Sequence, residues 1–235
     1  LAFQTWPWWL PQQGDGDYVV LLHGLGRSSG SMRGMEAFLR RNGYEVVNIN
    51  YPSRTADLET LTRDSVAPAI AKRCPRPKPI HFVTHSMGGI LVRHLLADGL
   101  VPEARLGRIV MLAPPNQGSE VVDFLKHRWL LARILGPAFP ELGVGTERPA
   151  PPRNGTAIGI VCGDRSINWI NSTLIPGPDD GKVAVERGKL PEMADFLLVH
   201  RTHPWIMDAP EVQSATVRFL KRGKFLDPEA AALRL

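Results

Sequence analysis

Six short apolar runs, spaced so that a helix fits between most neighbouring pairs, constrain this chain more than any other feature. They read YVVLLH (18–23), EVVNIN (45–50), IHFVTH (80–85), RIVMLA (108–113), AIGIVC (157–162) and FLLVH (196–200). Runs so continuously apolar suit strands covered on both faces, and their alternation with helices predicts a mostly parallel sheet. The stretches between them carry the helical period. Val212, Ala215, Thr216, Phe219 and Leu220 form one stripe, Met35, Phe38 and Leu39 a second, and Leu58, Leu61 and Ile70 a third. Pro68 should kink or shorten the last of these helices, because it has no N–H to give and its ring crowds the preceding turn. With 235 residues, 43% of them hydrophobic, the chain can bury one sizeable core. Residues 1–235 therefore read as a single α/β domain: a central, mostly parallel sheet of about six strands with helices on both faces.

One segment breaks the rhythm. About forty residues separate the fourth and fifth runs, where connections of roughly 2–6 are usual. They include VVDFLKHRWLLARIL (121–135), apolar on too many sides for a simple surface helix, followed by the Pro/Gly-rich GPAFPELGVGTERPAPP (136–152). A helix apolar all round needs a second apolar surface, from substrate, membrane or neighbouring elements. Residues 115–153 are accordingly read as a lid or cap inserted over a cleft.

Charge and composition argue against several classes. Lys and Arg number 28 against 23 Asp and Glu, a formal net charge of +5 that is thinly spread. The two densest basic stretches, KRCPRPKP (72–79) and RFLKRGK (218–224), read as a solvated loop and a helix end. No nucleic-acid-binding module accompanies them, so no nucleic-acid partner is expected. Cys74 and Cys162 fit neither a metal-ligand spacing nor a disulfide framework. No run reaches the roughly 18 apolar residues of a membrane span. The chain opens at Leu1 with LAFQTWPWWLP, too short and too Pro-broken for a signal peptide, a start that favours an exported protein whose leader has been removed. Trp6, Trp8 and Trp9 read as packed against the body, with weak contact at a membrane or lipid interface as their other role. Nothing in the pattern speaks to oligomeric state.

The chemistry gathers around Ser86. A strand ending at His85 and a helix starting near Met87 leave this serine on a tight turn at the C-terminal edge of the sheet. Its hydroxyl then points out of the sheet at a helix N-terminus, where the helix dipole favours negative charge. Gly88 and Gly89 suit such a turn, since side chains there would strike the strand. A serine held this way is placed as a nucleophile, and acyl chemistry also needs two donors for the oxyanion. The Met87 N–H is one candidate. The second should come from the turn after an earlier strand, and in LLHGLGRSSG (21–30) the Leu25 N–H is the choice. Arg27 beside it reads as a solvated side chain, with contact to a polar leaving group as the alternative.

His23-Gly24-Leu25-Gly26 after the first run, Thr84-His85-Ser86-Met87-Gly88-Gly89 at the turn, and Asp180 and His203 further on resemble the α/β-hydrolase superfamily, in particular its small bacterial lipases and esterases. The resemblance extends from about Tyr18 to Leu220. One departure is Thr84, which stands where the usual G-x-S-x-G has its first glycine. The superfamily's chain order of nucleophile, acid, base implies a base in the loop after the last strand. His203, just before Pro204, fits that place better than His200, which still belongs to the strand. Asp180, in Asp180-Gly181-Lys182-Val183, resembles the acid of lipase-like members, with Asp164 and Asp179 as alternatives; PDDG is also an ordinary polar turn.

The resemblance implies acyl transfer through a covalent Ser86 intermediate, with His203 as base, Asp180 as its orienting acid and no metal or organic cofactor. The expected partner is a small-molecule or lipid carboxylic ester, a substrate of lipid metabolism, with Trp129, Leu130, Leu131, Ile134 and Leu135 lining an acyl pocket. Rival readings are an acyltransferase or lipid-anchor deacylase on the same triad, and a catalytically silent binding protein, whose mark would be a missing triad member.

Overall fold

The computed structural model describes residues 16–150, 155–167 and 172–226; the three N-terminal tryptophans lie outside them. Its sheet comprises β1 (Tyr18–Leu22), β2 (Glu45–Ile49), β3 (Ile80–His85), β4 (Leu106–Leu112), β5 (Ile158–Gly163) and β6 (Asp195–Val199). They pair in the order β2-β1-β3-β4-β5-β6, every pair parallel. All six apolar runs are thus strands, and the mostly parallel α/β sheet expected from them is the one observed.

Alternation within each strand divides the core into two layers. Tyr18, Val20 and Leu22 of β1, with Phe82 of β3 and Ile109 and Met111 of β4, face one side. Val19, Leu21, Val83, Val110 and Leu112 face the other, as a side-chain period of two requires. The second face is covered by α1 (Arg33–Arg41) and by the C-terminal helix Pro210–Arg222. These bury Met35 and Leu39 of the one, and Val212, Ala215, Phe219 and Leu220 of the other. The first face is covered by α2 (Leu58–Thr60), α3 (Ala67–Arg73) and α4 (Met87–Ala97). From Met87 to Arg93 every residue of α4 is buried, the apolar ones against the sheet and Arg93 through its bond to the Asn116 carbonyl at 3.0 Å.

Pro68 does not break its helix. It occupies the first turn of α3, where a missing N–H costs nothing, and a π turn over Leu61–Val66 joins α2 to α3. The wider turn closes just before the proline, with the Ala67 N–H bonded to the Thr62 carbonyl five residues back.

The long connection after β4 also departs from expectation. Residues 121–135 form two short helices, α5 (Glu120–Lys126) and α6 (Trp129–Leu135), broken at Arg128, whose backbone is extended. A single 15-residue helix would run straight for about 22 Å; the break lets Val121 and Val122 at one end and Leu135 at the other turn toward the same cavity. The short helix α7 (Val185–Gly188) follows the Asp180 loop, and α8 is the C-terminal helix Pro210–Arg222.

The strand order decides where a site can form. β2 and β3 lie on opposite sides of β1, so the connections leaving the C-terminal ends of β1 and β3 diverge and open a crevice between them. Residues 23–30 and Ser86 both emerge at that crevice.

Candidate active site

Ser86 is the hinge between β3 and α4. Its φ of 54° and ψ of −123° are uncommon for a residue with a side chain, and its N–H is tied to the Leu112 carbonyl of β4 at 2.9 Å. The side chain makes no capping bond to α4. The hydroxyl turns instead to His203, with Ser86 Oγ 3.0 Å from Nε2. Gly88 makes the tight passage feasible: a Cβ there would lie 2.6 Å from the Leu22 carbonyl oxygen of β1. Thr84, the departure from the usual glycine, is fully buried in β3 without forcing the turn out of this geometry.

His203 begins the turn after β6. Its Nδ1 is 2.7 Å from Asp180 Oδ2, and its backbone N–H donates to the Asp180 carbonyl at 2.9 Å. The carboxylate therefore selects the tautomer with the proton on Nδ1, which leaves the Nε2 lone pair facing the Ser86 hydroxyl. The other carboxylate oxygen, Oδ1, accepts the N–H groups of Lys182 at 3.0 Å and Val183 at 2.9 Å. The His203 and Asp180 side chains are 4% and 2% exposed, so few waters compete for the pair.

The other candidates fall elsewhere. Asp164 and His200 pair with each other at 2.9 Å, with the His200 side chain 76% exposed. Asp179 accepts from the Ser172 hydroxyl and the Gly181 N–H; it shapes the turn that presents Asp180. The structure thus brings Ser86, His203 and Asp180 into one hydrogen-bonded row and leaves Asp164, Asp179 and His200 out of it.

His85 braces the row. It is buried, its Nε2–H donates to the His203 carbonyl at 3.0 Å, and the two rings lie 4.9 Å apart. Burial first, and the neighbouring His203 second, hold its pKa well below the usual histidine value, so the ring is a neutral donor. Gly24 lies directly against it: a Cβ there would be 3.0 Å from His85 Nδ1 and 3.1 Å from Ser86 Cβ. A side chain at this position would press on both, and glycine lets the 23–30 turn come this close without displacing them. That turn is set from behind by His23, which stacks on Tyr51 at 4.1 Å and accepts a hydrogen bond from the Tyr51 hydroxyl at its carbonyl. Ser53 Oγ accepts the Gly26 N–H at 3.0 Å. Leu25, between these anchors, and Met87, at the start of α4, have no hydrogen-bond acceptor for their N–H groups among the described residues.

A cavity of about 190 Å³ lies over Ser86. Its apolar wall comes from the connection after β4: Val121, Val122, Leu125, Leu135, Phe139 and Leu142. The acyl-pocket expectation needs correction here. Of the residues proposed for it only Leu135 lines the cavity, whereas Trp129, Leu130 and Ile134 face outward, Trp129 at 73% exposure, and Leu131 is half-buried outside the lining. A short helix such as α6 can turn only one edge inward, and its remaining apolar residues are left to solvent. Sequence reasoning did not single out Phe139 and Leu142, which are buried within the Pro/Gly-rich stretch of the segment read as a lid. It also missed Lys182, which lines the cavity beside Asp180. Isolated large apolar residues among Pro and Gly are the one signal that marked the first two. Among the described residues no group of three or more His, Cys, Asp or Glu could hold a metal ion.

A parallel α/β sheet whose switch point carries a serine at a strand–helix turn, backed by a buried His–Asp pair, defines a protein of hydrolase architecture. Residues 19–216 match the alpha/beta hydrolase family, and the chain belongs to it. Comparison with curated proteins returns no match. Among solved structures, the mature lipase BlEst2 of Bacillus licheniformis is similar with a TM-score of 0.71 at 21% identity, covering 89% of this chain and 92% of that one. An esterase of Pyrococcus furiosus aligns with a TM-score of 0.58 at 20% identity, covering 89% and 83%. A pyrethroid hydrolase of Sphingobium faniae aligns with a TM-score of 0.55 at 16% identity, covering 88% and 98%. A fold shared by a lipase, an esterase and a pyrethroid hydrolase does not choose a substrate; the site must.

Proposed function

We propose that this protein is a serine hydrolase of carboxylic esters with apolar acyl groups. The observation that carries the reading is the row itself: one imidazole with Nε2 3.0 Å from a serine hydroxyl and Nδ1 2.7 Å from a buried carboxylate. In the proposed reaction His203 takes the Ser86 proton as Oγ bonds to the ester carbonyl carbon. The oxyanion is received by the unpaired N–H groups of Leu25 and Met87. As the tetrahedral centre collapses, the bond to the alcohol oxygen breaks, and His203 passes its proton to that oxygen. Water, deprotonated by the same imidazole, then releases the acid and restores Ser86. Asp180 keeps the ring oriented and balances its transient charge.

The connection around 115–153 serves as the lid in this reading, because its apolar side chains form the cavity wall. Its outer face supports weak contact with a lipid interface: Trp129, Leu130 and Ile134 are exposed there, and Arg128 lies over the Phe124 ring. The test is direct. A fluorophosphonate should label the wild type at Ser86, and Ser86→Ala should lose p-nitrophenyl butyrate hydrolysis by a factor on the order of 10⁶. Turnover near the wild-type rate in that variant would remove the serine from the mechanism.

A further inference from the structure

Arg27 and Lys182 both line the cavity over Ser86, and the proposed mechanism uses neither. Arg27 stands two residues past Leu25. Its Nη2 donates to the Pro204 carbonyl at 2.5 Å and its guanidinium lies 5.8 Å from the Trp205 ring centroid, so the side chain is held in place. Lys182 stands two residues past Asp180. Its N–H is given to Asp180 and its carbonyl accepts the Ser119 hydroxyl at 2.7 Å, which fixes the backbone of a lysine at the cavity wall.

Among the described residues neither cation has a carboxylate within ion-pair distance. Two carboxylates are within electrostatic reach and neither is free to serve. Asp180 is committed to His203 and two backbone amides. Asp208 acts on Arg27 only across a gap, and burial pushes its own carboxyl toward the neutral form. Lys182 reaches solvent and Arg27 is half-buried; partial loss of water first, and the Arg27 charge second, lower the Lys182 pKa. Two like charges lining one cleft repel each other, and among the described residues the Asp180 and Asp208 carboxylates act on them only at a distance.

We propose that the missing counter-charge belongs to the substrate: the site takes acyl esters whose alcohol side carries a phosphate monoester within a few bonds of the scissile oxygen. The inference rests on the serine-hydrolase reading above. Two cations match the charge of about −1.5 to −2 on a phosphate monoester at neutral pH, and a fixed guanidinium with a mobile ammonium is a pairing suited to its oxygens. The alcohol side is indicated because each cation is two residues from a member of the reacting centre. An acyl chain would lie along the apolar wall of Val122, Leu125, Phe139 and Leu142. Hydrolysis would consume one water and release a fatty acid and a phosphorylated alcohol.

The experiment compares 1-dodecanoylglycerol with 1-dodecanoylglycerol 3-phosphate, both kept monomeric, on the full chain. Wild-type kcat/KM should favour the phosphate by about tenfold or more, the scale of one charge-assisted hydrogen bond, and the ratio should shrink as salt is raised. Arg27→Gln and Lys182→Gln should each cut the ratio several-fold, and the double variant should bring it to about one. A wild-type ratio at or below one would overturn the inference, as would a ratio that both variants leave unchanged. Activation of dodecanoylglycerol turnover by inorganic phosphate would also overturn it, since the anion would then be a free effector. Ser86→Ala separates the two levels. Hydrolysis of both substrates surviving in that variant defeats the serine mechanism, whereas Ser86-dependent hydrolysis without preference defeats only the phosphate assignment.

Discussion

Ser86 is held where a residue with a side chain loses about 1–3 kcal/mol to backbone strain, and its surroundings keep it there: the Leu112 carbonyl on its N–H, Gly88 under the turn, and Gly24 against the His85 ring. The same economy of contacts decides between the acids. Asp180 Oδ2 faces His203 Nδ1, while Asp164 pairs with an exposed histidine outside the site. Replacing a carboxylate by an amide keeps the shape but lets the imidazole adopt the wrong tautomer, an effect on the order of 10⁴ in kcat for a serine triad. Asp180→Asn is therefore expected to lose about that factor. Asp164→Asn should stay within about threefold of wild type, because an exposed ion pair contributes little. Steady-state kinetics on one p-nitrophenyl ester decides the matter, and a larger loss in Asp164→Asn would transfer the acid role.

The helices after β4 set how much acyl chain the cavity can hold. Leu125 of α5 lines the cavity and packs half-buried against the core, so Leu125→Trp should fill space that a longer chain needs. Each displaced methylene is worth roughly 1–3 kcal/mol in such a pocket. The kcat/KM ratio of p-nitrophenyl dodecanoate to butyrate should fall at least tenfold, and an unchanged ratio would mean the chain lies elsewhere. The strands were legible in the sequence because each is apolar on both faces, a pattern that survives any choice of neighbours. The turn at Ser86 was legible because Gly88 and Gly89 answer a local steric demand. The break at Arg128 was not, since it serves a cavity assembled from residues over twenty positions apart, Val121 to Leu142. Nor was the outward face of α6: an apolar run announces that it must be covered, but not which of its edges is.

Across the whole molecule, buried histidines tie folding to pH. His23, His81 and His85 are all within 5% of full burial, and burial is the leading cause that lowers each pKa from 6.5. The folded state therefore holds these rings neutral where the unfolded chain would protonate them. Below about pH 6.5 the unfolded state binds more protons, so stability is complete above that value and declines as pH falls toward each lowered folded pKa. Each ring adds a slope of up to about 1.4 kcal/mol per pH unit within its window. Asp208 and Glu141, whose carboxyls burial raises, work in the opposite sense, nearer the carboxylate range. Urea unfolding at pH 7.5, 6.0 and 5.0 should show the midpoint falling at each step. Because His85 braces His203 through its Nε2–H, His85→Gln should retain a donor yet remove one titrating ring. That variant should be less stable at pH 7.5 but lose less between pH 7.5 and 5.0 than wild type. Parallel losses in the two proteins would mean that the His85 ring takes up its proton in the folded state, and that the brace on the catalytic loop does not depend on its neutrality.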